Sequence, residues 1–184
     1  MRNRLACWEI IGFIFVVIFG SLLHFVYQWS GRNRIVGSFA PVNESTWEHL
    51  KLLFVPMLLF SSVEYFVVGK NYPNFIVSKA IGMLFGMIAI VVIFYTYTGI
   101  LGNHFLWADI LTFVLGVTVA YLYSWRIINK QPIGSNANII GIILILVLTL
   151  CFVIFSFDPP HIPLFLDPVT KSYGASPKAL THPV

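Results

Sequence analysis

Residues 139–157 read IIGIILILVLTLCFVIFSF, a run of nineteen residues without a single charge. In lipid every backbone N–H and C=O must find its partner within the segment, which a helix provides, and about 20 apolar residues of helix cross ~30 Å of hydrocarbon. Working outward, four more runs have the length to do the same: residues 5–29, 52–68, 75–97 and 105–125. Trp8 and Trp29 stand near the ends of the first, where amphipathic rings anchor at headgroups. Strands of a membrane barrel would be about ten residues long and alternate apolar with polar, which these runs do not. The whole chain agrees: of 184 residues, 58% are hydrophobic and 10% charged, where a soluble domain is about a quarter charged. The pattern predicts an all-α polytopic membrane bundle of five transmembrane helices, followed by a Pro-rich, non-helical segment over residues 158–184.

Arg2 and Arg4 before the first run also suit a secretory signal, but His24, Tyr27, Gln28 and Trp29 stand where a small-residue cleavage site would be. The run is therefore read as a span. Cys7 and Cys151 are too far apart along the spans to form a disulfide framework and read as small apolar fillers. The net charge of +4 comes from basic residues scattered singly beside span ends. That distribution marks topology and headgroup contact, with the lipid bilayer as partner and no nucleic acid. With the N-terminus inside, Arg2, Arg4, Lys70, Lys79, Arg126 and Lys130 are cytoplasmic, and Arg32, Arg34, Lys51, Lys171 and Lys178 are outside. The six-to-five bias and the loop 98–104, which lacks Lys and Arg, favour a multi-pass cell-membrane protein with a cytoplasmic N-terminus and an outer C-terminus.

No phosphate loop, CxxC pair, GxSxG elbow or HExxH pair is present. What carries information is where polar residues fall. His24, Asn43, Glu44, Glu48, His49, His104, Asp109, Asp158, His161 and Asp167 all lie on one side of the five spans, including four of five histidines and five of seven acids. They centre on PVNESTWEHLKLLFVP, residues 41–56, where Ser45 and Glu48 match the S-x-x-E capping box and predict a helix start. Glu44 and His49 are not needed for that start. Asn43-Glu44-Ser45 also matches a glycosylation acceptor.

Two polar segments, FAPVNESTWEHLKLLFVPML at 39–58 and DPPHIPLFLDPVTKSYG at 158–174, together with Glu64 in the second span, carry a resemblance. Over most of its length the chain resembles a family of small bacterial integral membrane proteins, domain-of-unknown-function family 6512. The resemblance implies a multi-spanning membrane protein and brings no activity with it.

In the second segment Pro159, Pro160 and Pro163 cannot continue a helix, and Asp167-Pro168 reads as a turn, so residues 162–166 could fold back over the bundle as a lid or trail as an interfacial tail. Residues after 174 read as a disordered end. Glu64 lies twelve residues after Leu52, about 18 Å of rise, which places it past the midplane. An intramembrane carboxylate there is expected to be protonated, paired or facing a wet cavity. Gly82 and Gly86 form a G-x-x-x-G stripe for close helix packing, within the chain or in a homo-oligomer.

Three functional classes follow. One is a metal-dependent hydrolase acting on a lipid-like or peptide substrate, with Glu44, His49 and Glu64 as catalytic groups. Zinc would be its metal, with His24, His49, His161 and Asp158 as ligands. Another is a small proton- or cation-coupled transporter or channel using Glu64. The third is an accessory protein of unknown activity whose rim binds a small polar or lipid-like ligand. The sharpest expectation is that at least three of His24, Glu44, His49, Asp158 and His161 meet at one outer cavity under residues 162–166.

Overall fold

Each apolar run forms one helix in the computed structural model, which describes residues 2–175. The helices are α1 (Arg2–Trp29), α2 (Arg34–Gly37), α3 (Thr46–His49), α4 (Lys51–Val67), α5 (Phe75–Leu101), α6 (Leu106–Ile128) and α7 (Ala137–Phe155). Leu50 joins α3 to α4, so Thr46–Val67 is one membrane-length helix. Among the described residues, five helices are thus long and apolar enough to cross a bilayer. Five crossings put Arg2 and Phe155 at opposite ends. The second span begins ahead of its apolar run because Ser45, extended at ψ 151°, caps it by accepting a hydrogen bond from the Glu48 N–H.

Pro56 lies inside α4 without ending it. A proline lacks the N–H that would bind the Leu52 carbonyl, and the neighbouring helix accommodates the result. Gly20 of α1 is pressed so closely against that carbonyl that a Cβ there would come 2.4 Å from the oxygen. The G-x-x-x-G stripe of α5 packs inside the chain. A Cβ on Gly82 would lie 2.5 Å from the Ala120 carbonyl of α6, and one on Gly86 2.8 Å from that of Gly116. Val16, Leu53, Met57, Met83, Val117 and Phe152 fill the space between the helices. α7 is the outermost span. Gly141 brings it onto the Val77 backbone of α5, while Ile139, Ile143, Leu146 and Leu150 face outward, as lipid-facing residues do.

At the α1 N-terminal end, Asn74 staples the loop between α6 and α7. Its Nδ2 reaches the carbonyls of Ile127, Lys130 and Gln131, and its Oδ1 accepts the Ile133 N–H. At the other end the Pro-rich segment folds back. Phe165, in a short 3-10 turn, packs against the Trp47 and Phe155 rings, Leu166 bridges to Tyr173, and the Asn43 amide donates to the Gly174 carbonyl. Asp167 closes its own turn by accepting from the N–H groups of Val169 and Thr170 and from the Thr170 hydroxyl. The segment is therefore a lid as far as residue 175. The expectation of a disordered end falls, after residue 175, outside the described residues.

Candidate functional site

The segment that leads into α3 is held by a polar knot. The capping box is only half formed: Ser45 caps Glu48, but the Ser45 N–H is bound by the Asn43 side chain at 2.9 Å and not by Glu48. Glu48 turns inward. Its Oε2 accepts the Val42 N–H at 2.9 Å and pairs with Lys51 Nζ at 2.7 Å, and its Oε1 accepts the Ser156 hydroxyl at 2.9 Å. The Lys51 ammonium also reaches the carbonyls of Gly37 and Ala40 and the Ser156 Oγ. Both side chains are buried, which an ion pair tolerates only when its remaining hydrogen-bonding capacity is filled. The physical reason for the departure from the capping box is this nearby ammonium, a stronger partner than a backbone N–H. The knot ties the loop 37–45, α3 and the end of α7 together.

Glu44, thereby fixed, faces two histidines from different elements. Glu44 Oε1 lies 3.7 Å from His24 Nε2 of α1, and Oε2 lies 3.4 Å from His49 Nε2 of α3. The two imidazole centroids are 5.2 Å apart. His49 Nδ1 stands 2.9 Å from the Ser45 carbonyl, which can only accept, so that nitrogen carries the hydrogen and Nε2 is presented toward Glu44. The three residues are half-buried, and one ligand atom from each falls within 4.8 Å of the others. Burial pushes the Glu44 carboxyl up, but the His49 hydrogen bond and the charges of His49, His24 and His104 outweigh it and hold it below the ordinary carboxylate range.

Glu44 and His49 open onto a cavity of about 440 Å³. Leu52, Ile90, Phe94 and Phe113 make its apolar wall, and Pro163, Leu166 and Val169 of the lid cover it. His104 and Asp109 line the wall formed by α6 and the turn before it, paired at 3.2 Å, and Asp109 also accepts the Tyr97 hydroxyl.

Of the ligands expected from sequence, His24, Glu44 and His49 come together and two do not. His161 stacks on Tyr173 with centroids 4.4 Å apart, on the exposed side of the lid. Asp158 continues the end of α7, its N–H bound to the Ile154 carbonyl, and is not part of the converging set. The prolines carry this stretch out of the helix, for the reason that made it non-helical. Glu64 belongs to the opposite end of the bundle, where Lys79 Nζ lies 2.7 Å from it and 3.0 Å from Glu9. From sequence, Lys51 and Lys79 have a topological role and Glu9 none. The available signal was that Glu9 and Lys79 interrupt apolar runs, which in a membrane is itself a pointer.

Two imidazoles and one carboxylate are the donors of many catalytic zinc sites, which leave a fourth position for water. Tetrahedral zinc with bonds near 2.0–2.1 Å sets ligand atoms about 3.3 Å apart, so the three donor atoms, which lie within 4.8 Å of one another, would draw together around it. The Ser45 carbonyl on His49 Nδ1 is the outer partner that fixes a ligating ring. The donor types therefore suit zinc.

No curated protein and no solved structure matches the chain. A family model, the family of unknown function DUF6512, matches residues 1–175, and the chain belongs to that family.

Proposed function

We propose that the chain is an integral protein of the cell membrane, with a cytoplasmic N-terminus, whose outer rim binds zinc through His24, Glu44 and His49 and hydrolyses a lipid-like substrate lodged in the adjoining cavity. The observation that carries this reading is the convergence of those three donors from three separate segments at the mouth of an apolar cavity. Capping, dipole and interfacial roles would each explain one residue; none requires that the three meet.

Bound zinc would supply a water acidic enough to act as hydroxide near neutral pH. The protein's own contribution is position. Glu44 and His49 would hold the metal beside the cavity, the apolar wall would take an acyl chain under the lid, and the His104–Asp109 pair on the same cavity would return a proton to the leaving group. A peptide substrate is less well matched, because the cavity wall offers few backbone-binding groups along its apolar length.

The test is zinc content by mass spectrometry of protein purified without chelator, beside the variants His24→Ala, Glu44→Gln and His49→Ala. One zinc per chain is expected, falling at least tenfold in each variant, with cleavage of ester-bearing lipids lost in parallel. Equal metal content in the parent and all three variants would overturn the site.

A further inference from the structure

The end of the bundle far from the rim holds a second polar site, made by three helices that each interrupt an apolar run with an ionisable residue. Glu9 comes from α1, Glu64 from α4 and Lys79 from α5. All three are buried, with Glu64 at 0% exposure and Lys79 at 1%. The ammonium lies at ion-pair distance from both carboxylates but not in hydrogen-bonding geometry. From α6, the Ser124 hydroxyl donates to Glu9 Oε1 at 3.3 Å, and the Tyr121 ring stands with its centroid 5.2 Å from Lys79 Nζ.

The charges do not balance. Two carboxylates and one ammonium leave one negative charge over, inside a membrane-spanning bundle where an uncompensated ion is strongly disfavoured. Among the described residues, the ion pairs of Glu9 and Glu64 are with Lys79 alone. Hydrogen-bonding capacity is also left over. Glu9 Oε2, Glu64 Oε1, the Tyr121 hydroxyl and the Ser61 hydroxyl, one turn before Glu64, are buried without a hydrogen-bond partner. A surplus of one negative charge, with unfilled acceptors and hydroxyls beside it, is the complement of one proton.

We propose that Glu9, Glu64 and Lys79 form a site for one exchangeable proton, held by either carboxylate while Lys79 pairs with the other. The triad is then neutral with the proton bound and carries one negative charge after its release. Beside the triad, Lys79, Ser61 and Tyr65 line a cavity of about 220 Å³ among α4, α5 and α7. Neither the zinc reading nor the rim residues enter this argument, so the two stand or fall separately.

Infrared difference spectroscopy of the full chain in lipid nanodiscs at neutral pH, in water and in deuterium oxide, tests it by counting protonated carboxyl groups. The parent is expected to show one such carbonyl band per chain. Glu9→Gln and Glu64→Gln are each expected to abolish it, because the remaining carboxylate becomes the sole partner of Lys79. Lys79→Met is expected to raise the count to two; if that variant does not fold, the two glutamine variants decide alone. A parent without the band, or a band that survives both glutamine variants, overturns the proposal. So does a band that appears only when sodium and potassium are withdrawn, which would make the site a metal-cation site.

Discussion

Lys51→Met removes an ammonium that sits within 2.5–3.3 Å of two loop carbonyls, the Ser156 hydroxyl and Glu48. The methionine fills a similar volume, so the loss is electrostatic. It leaves the Glu48 carboxylate buried with its Oε2 holding only the Val42 N–H, and it frees the carbonyls of Gly37 and Ala40. Removing one partner of a buried pair typically costs ~3–5 kcal/mol, largely from the charge left behind. Glu48→Gln alone should cost somewhat less, since Lys51 keeps three oxygen acceptors. The double variant removes both charges, so it should recover about 2 kcal/mol or more of the sum of the single losses. Intrinsic tryptophan fluorescence melts in detergent follow this well, because Trp47 stacks on Phe152 of the neighbouring α7. Metal binding should weaken in Lys51→Met as well, though Lys51 is not a ligand, because the knot fixes the loop carrying Glu44. A Lys51→Met protein as stable as the parent, or singles that simply add in the double, would refute the assignment of this pair as the anchor of the rim.

Two other perturbations separate parts of the structure. Glu44 is held below its ordinary value near 4.5, so its contribution to stability is full above that value and is lost as pH falls through the lower folded value. The stability difference between the parent and Glu44→Gln should therefore shrink as pH falls below about 4.5 and be lost below the lowered folded value; a difference that persists unchanged in acid would refute it. Gly82→Ala puts a methyl 2.5 Å from the Ala120 carbonyl and should cost ~1–3 kcal/mol, whereas Gly99→Ala, with open space around it, should be neutral. Melting temperatures of the two variants measure the contrast, and equal values would mean that α5 and α6 are not packed as closely as described.

The spans were legible because a membrane-length apolar run has few ways to satisfy its backbone, and two of the shifted boundaries were set by caps, Ser45 and the left-handed Gly102. The rim histidines were legible as residues of one side, but their partners were not. His24 is distant in sequence from Glu44 and His49, and only the packing of α1 beside α4 brings it to them. Ser45 and Glu48 show how a local motif can mislead: the spacing was right, yet a lysine three residues on outcompeted the backbone. His161 and Asp158 shared the side without sharing the site, because side is a property of topology and convergence one of tertiary packing. The Glu9–Lys79–Glu64 cluster was hidden for the same reason, its members being spread over three runs.

Ser156 gives the knot a temporal meaning. Its hydroxyl, at the end of the last span, is bound to both Glu48 and Lys51. Chains leave the ribosome N-terminus first, so α1, α3 and α4 are made well before α7. Until α7 docks on α5, Glu48 and Lys51 lack their shared hydroxyl, and Trp47 lacks Phe152, Phe155 and Phe165. The rim is thus the last region to mature during synthesis, and a chain truncated before residue 156 would display His24, Glu44 and His49 without the scaffold that brings them to one point.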